Sequence, residues 1–196
     1  MDFAVELRRL GHEVRTFEYR KDNPLYKNRA TKAAYQSYIL RSLERTCVQW
    51  RPSLVLVVKG TPITAELIDR VKRKCDIVFI NFFPDNPLWM MPLAAIEAYD
   101  VFFTKERYAM RSLQQVGIRN LAYLPMYCVP SEHYPVTPTP EEARRYGGPI
   151  SFVGNRYPYR EHFVKALRDC PLRLWGTGWS AAKDPAVSAV AGPAVF

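Results

Sequence analysis

Apolar residues follow two alternating rhythms along this chain. Where they recur every three or four positions they predict helices with one buried face, and where four or five run together they predict buried strands. Phe3, Val5, Leu7 and Leu10 mark a first helix that stops at Gly11, a glycine placed to cap it. Residues 13–19, Glu-Val-Arg-Thr-Phe-Glu-Tyr, alternate in the manner of a strand. A polar loop through Asn23 and Pro24 leads to a long helix over about residues 28–50, with Ala34, Tyr38, Leu43 and Val48 toward its buried side. Residues 54–58 are apolar throughout and read as a parallel strand covered on both faces. A helix over 64–74 follows, with Thr61 or Thr64 as N-cap, then a strand over 77–80 that runs into Asn81-Phe-Phe-Pro-Asp85. Beyond Pro92 a short helix precedes a strand over 100–104, a helix over 106–116 ending at Gly117, and a strand over 121–124.

Strands alternating with helices at this spacing need crossover connections, which parallel pairing requires. The expected fold class is therefore α/β, with a Rossmann-like parallel sheet over residues 1–128. The periodicity lapses between Tyr127 and Pro149, where prolines, Glu141, Glu142 and Gly147-Gly148 accumulate. Residues 129–149 read as a linker. The pattern then restarts as a strand over 150–153, the turn Gly154-Asn155, a helix over 159–168 and a strand over 172–175. Residues 150–196 read as the incomplete start of a second Rossmann-like domain, and nothing in 181–196 fixes a conformation. A Rossmann-like half opens on a central strand, whereas here a helix comes first. The stretch after Pro149 is also short for an independent core of this class. The chain is thus expected to be truncated at both ends.

Composition changes this picture little. Hydrophobic residues at 48% and charged residues at 24% suit a soluble globular protein. No apolar run approaches the roughly 18–20 residues of a membrane span, and the start lacks the apolar core of a signal peptide. A cytoplasmic location is the default expectation. Cys47, Cys75, Cys128 and Cys170 lie far apart, and His12, His133 and His162 lack ligand spacing. Neither a disulfide framework nor a metal site is expected. The net charge of +9 arises from cations interleaved with acids on helices, as in residues 41–45 and 70–74. There is no basic run and no aromatic RNA-reading motif, so no nucleic-acid partner is expected. The surplus fits an anionic substrate, with peripheral contact to an anionic membrane as a further expectation. Oligomeric state is not legible.

Ligands of open parallel sheets sit beyond the carboxyl ends of the strands. Several segments fall at such ends. In Lys59-Gly60-Thr61-Pro62, Gly60 either admits a substrate to the backbone or makes a tight turn. Asp85, in Pro84-Asp85-Asn86-Pro87, either deprotonates an acceptor hydroxyl or caps the next turn. Trp89, Met90 and Met91 follow as an apolar platform for a sugar face or as plain packing. In Thr104-Lys105-Glu106-Arg107, Lys105 or Arg107 can meet an acceptor or simply be solvated. Gly154, Asn155, Arg156 and Arg160 open a helix after a strand, where backbone N–H groups and guanidinium forks suit a diphosphate. This is neither the dinucleotide G-x-G-x-x-G nor a P-loop. Finally Trp175-Gly176-Thr-Gly-Trp179 either lines a nucleotide pocket or turns the chain.

The ordered set resembles the CgeB-like (spore maturation) group of GT-B glycosyltransferases. It runs through Gly11-His-Glu-Val, Leu54-Val-Leu-Val-Val-Lys-Gly60, Asn81-Phe-Phe-Pro-Asp85, Tyr99-Asp-Val-Phe-Phe-Thr-Lys105, Tyr123-Leu-Pro, Ser151-Phe-Val-Gly-Asn-Arg156 and Leu174-Trp-Gly-Thr-Gly-Trp179. The resemblance implies two facing Rossmann-like domains with an active site in the cleft, the first holding the acceptor and the second a nucleotide diphosphate-sugar. It implies no metal and no cofactor beyond that donor substrate. Asp85 would be the catalytic group, with Gly60 and Lys105 on the acceptor. Gly154, Asn155, Arg156, Arg160 and Gly176 would serve the donor. The later acidic segment of the family pattern is not present, so the polypeptide by itself is expected to lack transferase activity. A non-catalytic carbohydrate- or protein-binding module derived from such an enzyme is the competing expectation.

Overall fold

Four of the apolar runs pair as parallel strands in chain order: β1 (Leu54–Val58), β2 (Val78–Phe83), β3 (Val101–Thr104) and β4 (Leu121–Tyr123). This computed structural model describes residues 3–19, 25, 28, 30–129, 132–167, 169–182 and 187. The expected loop through Asn23 and Pro24 lies outside them. The register places Val58 beside Phe82, Phe83 beside Thr104, and Thr104 beside Tyr123. All four carboxyl ends therefore lie along one edge.

Among the described residues, five helices belong with this sheet: α1 (Phe3–Arg9), α2 (Lys32–Trp50), α3 (Ala65–Lys72), α4 (Leu93–Glu97) and α5 (Arg107–Gln115). Thr64 caps α3, its hydroxyl oxygen accepting the Leu67 N–H at 3.3 Å. The stops read at Gly11 and Gly117 are Schellman turns. Gly11 N–H reaches Arg8 O and His12 N–H reaches Leu7 O, and Gly117 and Ile118 repeat the pattern onto Gln114 and Leu113.

Phe79 and Phe83 from β2 and Phe102 from β3 are fully buried with Leu67, Ile68, Ile96 and Leu113. The Phe83 and Phe102 rings stack with centroids 5.9 Å apart. Burying each such ring contributes about 1.5–3 kcal/mol, so β2, between two strands, is the spine of the core. Phe82 points the other way, against the rings of Phe3 and Tyr127.

Three expectations are corrected. Residues 13–19 form no strand: Phe17 packs on the core, but no backbone ladder joins the segment to the sheet. Among the described residues, no strand lies beyond β1, so the alternating pattern has no partner there. β1 is accordingly an edge strand, with Leu54 and Val58 exposed rather than covered on both faces. On α2 the buried stripe runs through Leu40, Leu43 and Cys47, while Ala34 and Tyr38 are exposed.

The chain separates into two compact units, Met1–Glu132 and His133–Phe196. The second contains α6 (Pro140–Tyr146), β5 (Ile150–Val153), α7 (Pro158–Ala166) and β6 (Leu172–Trp175). β5 and β6 pair in parallel, with Val153 beside Trp175, which makes a β-α-β unit. α6 arises inside the proline-rich stretch read as a linker. Thr139 and Glu142 form a capping box around Pro140, and the Arg173 guanidinium donates to the last carbonyls, Arg144 O and Arg145 O, at 2.9 Å each. Val164, Leu172, Leu174, Trp179 and Val187 form a small core. Among the described residues, no helix is long and apolar enough to cross a membrane.

Candidate functional site

At the end of β1 the backbone departs from what its side chains prefer. The Lys59 N–H still reaches Phe82 O at 2.9 Å, but Lys59 itself turns left-handed, with φ +67°, and Gly60 follows at +68°. For a lysine this costs about 1–2 kcal/mol. The Lys59 ammonium lies 2.5 Å from Asp85 Oδ2, with Lys59 26% and Asp85 47% exposed. Lysine and carboxylate thus meet where β1 and β2 end.

Asp85 does not cap the following turn. Asn86 does, its side-chain oxygen accepting the Leu88 N–H at 3.0 Å. Pro87 is buried and Leu88 packs on the core, so the short 3-10 turn Pro87–Trp89 is anchored from below. Its indole points outward: Trp89 is 87% exposed, whereas Met91 is buried. The apolar platform is therefore chiefly Trp89, with Met90 exposed beside it in sequence.

Beneath Gly60 lies a group of polar side chains. Its N–H donates to the Tyr19 hydroxyl at 2.9 Å, and Asn81 Nδ2 donates to Lys59 O at 3.2 Å. Asn81 and Tyr99 are buried, and among the described residues neither Asn81 Oδ1 nor the Tyr99 hydroxyl makes a hydrogen bond of good geometry, although the Asn81 amide lies near enough to the phenol to act on it. Burial pushes Tyr99 up to about 12, against the lowering influence of the Asn81 amide. A Cβ on Gly60 would collide with Val57 Cγ1. Lys105, just past β3, pairs loosely with Glu106 at 3.6 Å. The Arg107 guanidinium lies 3.8 Å from the ring centroid of Tyr123.

In the second unit the two strand ends are latched together. Gly154 N–H donates to Trp175 O at 2.8 Å, and Arg156 N–H to Thr177 O at 3.0 Å. The Trp179 indole N–H donates to Gly154 O at 2.7 Å, and the Thr177 hydroxyl donates to Asn155 Oδ1 at 2.8 Å. Gly176 has φ +135°, and a Cβ there would strike the Gly154 carbonyl. The two arginines differ. Arg156 is held by the buried Glu161 through Nε at 2.8 Å and Nη2 at 2.5 Å. Arg160 donates through Nη1 to Asn155 O at 2.8 Å, and its guanidinium lies against Gly154.

Gly60 and Asp85 thus lie on the carboxyl edge of the first sheet, with Lys105 at the end of the neighbouring β3. Gly154, Asn155, Arg156, Arg160 and Gly176 lie at the carboxyl edge of the β5–β6 pair. Lys59, Asn81 and Tyr99 fell inside segments read from the sequence but were given no role there, and Tyr19 and Glu161 were not singled out. The register of β1 against β2 is the signal that would have paired Lys59 with the loop after Phe83.

Among the described residues, no group of His, Cys, Asp or Glu could hold a metal ion. An open depression of about 530 Å³ lies instead at the amino-terminal ends of β2 and β3, lined by Lys72, Lys74 and Asp100 among others. Two of its cations already pair, Lys72 with Asp100 and Lys74 with Glu44. The fold and the two edges define an α/β protein of Rossmann-like class. No family model matches the chain, and no curated protein matches it.

Proposed function

We propose that this chain belongs to a glycosyltransferase resembling the CgeB-like group, moving a sugar from a nucleotide diphosphate-sugar to an acceptor hydroxyl. The observation that carries the reading is the strained Lys59, which sets its ammonium on Asp85 at the carboxyl edge of a parallel sheet. Backbone strain of this kind persists where surrounding structure enforces it, and it concentrates at functional sites. As the acceptor oxygen bonds the anomeric carbon, Asp85 takes its proton, and the diphosphate leaves with the bonding electrons. Lys59 fixes the orientation of the carboxylate. Lys105 contributes a cation on the same edge, and Gly60 makes the tight turn that carries Lys59 over the packed side chains beneath it. The second unit, taken by itself, offers in Arg160 a donor of the kind that stabilises a diphosphate.

The second reading is a non-catalytic carbohydrate- or protein-binding module. It is favoured by the two ion pairs, Lys59–Asp85 and Arg156–Glu161, which engage both a base and a phosphate fork. Isothermal titration with UDP- and GDP-sugars separates the two. The transferase reading expects saturable binding that Arg160→Ala weakens and Asp85→Asn spares. If no nucleotide-sugar binds, yet a glycan does and still binds Asp85→Asn, the module reading stands instead.

A further inference from the structure

Tyr157 and Tyr159 flank Pro158 where α7 begins, and their rings are parallel, tilted by 2° with centroids 6.0 Å apart. Both are exposed, at 49% and 68%. The arrangement is rigid: Pro158 fixes one backbone angle, Tyr157 is the extended N-cap residue, and Glu161 N–H closes onto Tyr157 O at 3.0 Å. Arg160 completes the group, its guanidinium carbon 5.0 Å from the Tyr157 ring centroid and 5.7 Å from that of Tyr159. Asn155 O takes one of its donors, and a guanidinium has five. Parallel rings open to water offer a face to another planar π-system, and the adjoining cation suits a ligand that is planar at one end and anionic at the other.

We infer that Tyr157, Tyr159 and Arg160 form the recognition surface for a nucleoside diphosphate. The base lies on the exposed face of Tyr159, and the phosphates meet Arg160 beside the Gly154–Asn155 turn. Arg156 is a strut tied to Glu161 and makes no phosphate contact. This deepens the reading of the second unit as the donor side, and rests on it. Stacking reads a π-face rather than hydrogen-bonding edges, so the surface tolerates different bases.

The test compares UDP, GDP, ADP and inorganic pyrophosphate on the full 196-residue chain, with Tyr159→Ala, Tyr159→Phe and Arg160→Ala variants. Tyr159→Ala should weaken all three nucleotides about tenfold or more and leave pyrophosphate unchanged. Tyr159→Phe should bind as the parent does, and Arg160→Ala should weaken nucleotides and pyrophosphate alike. Because Tyr159 is exposed, its removal leaves the small core intact, which circular dichroism checks. If nucleotide affinity survives Tyr159→Ala while Arg160→Ala still weakens pyrophosphate, the base-stacking inference is overturned and a phosphate site remains. If the parent chain binds none of the four, both the inference and the donor-side reading are lost.

Discussion

Gly60 and Gly176 occupy the same topological position, each just beyond the carboxyl end of a parallel strand and each with a positive φ. What crowds them differs. A side chain at Gly60 would meet Val57 Cγ1, a rotatable methyl, whereas one at Gly176 would meet the Gly154 carbonyl, part of the facing backbone. The contrast extends to the surroundings. The first turn is supported by a deep aromatic core, with polar side chains filling in beneath it. The second rests on a core of few residues and is held by cross-turn hydrogen bonds from Trp179, Thr177 and Arg160. One edge is shaped by packing and strain, the other by hydrogen bonds between turns.

Alanine at the two glycines breaks or confirms that contrast, and it carries the largest expected effect. At Gly60 the left-handed backbone costs about 1–2 kcal/mol, and turning the buried Val57 aside adds about 0.5–1.5 kcal/mol. At Gly176 the obstacle is backbone that cannot rotate away, so strain and overpacking combine to about 3 kcal/mol or more. Denaturant unfolding should therefore show Gly176→Ala as the worse of the pair. Equal losses would mean that the β6 turn yields as freely as the β1 turn.

Much of the architecture was legible because it depends on local pattern. Gly11, Gly117 and Thr64 mark helix ends by chemistry that acts within a few residues, and the apolar runs of β1 to β6 fixed the α/β class. Residues 13–19 misled for a definite reason: period-two alternation says which face a strand would bury, but a strand exists only through the ladder of a neighbour. The site was half legible. Gly60 and Asp85 were visible as residues at strand ends, yet the Lys59–Asp85 pair depends on register across 26 positions. Arg156 looked like a phosphate fork because nothing local announces that Glu161 will be buried against it. The helix over 140–146 hid in a proline-rich stretch because it buries no residue and lives on its capping box.

The next effect concerns the polar group under Gly60. Tyr99 titrates at about 12 in the fold against an ordinary value of 10. The fold favours the neutral phenol, so this contribution is complete below pH 10 and is lost as pH rises toward 12. At about 1.4 kcal/mol per unit, the loss amounts to about 2–3 kcal/mol. Cys47, raised by burial from 9 to about 11, acts in the same direction over a lower window. The informative quantity is therefore the difference between parent and variant. Tyr99→Phe should leave neutral-pH stability nearly unchanged, since the buried hydroxyl it deletes has no hydrogen bond of good geometry among the described residues. It should then lose less stability than the parent between pH 10 and 12. Parallel curves for the two proteins would show that the phenol is not in the dry environment described.

The smallest effect falls on Lys59, and there stability and function should part company. If the left-handed lysine existed to brace the turn, replacing it would weaken the fold. Asparagine accepts this backbone more readily than lysine, and the ion pair it removes is partly exposed, a kind contributing about 0–1 kcal/mol. Relief of strain and loss of the pair nearly cancel, so Lys59→Asn should unfold within about 0.5 kcal/mol of the parent. On the transferase reading proposed above, acceptor binding should suffer nonetheless, because Asp85 would lose the cation paired with it. A stability loss well beyond that range, with acceptor binding intact, would make Lys59 a brace for the turn and leave its strain without a functional explanation.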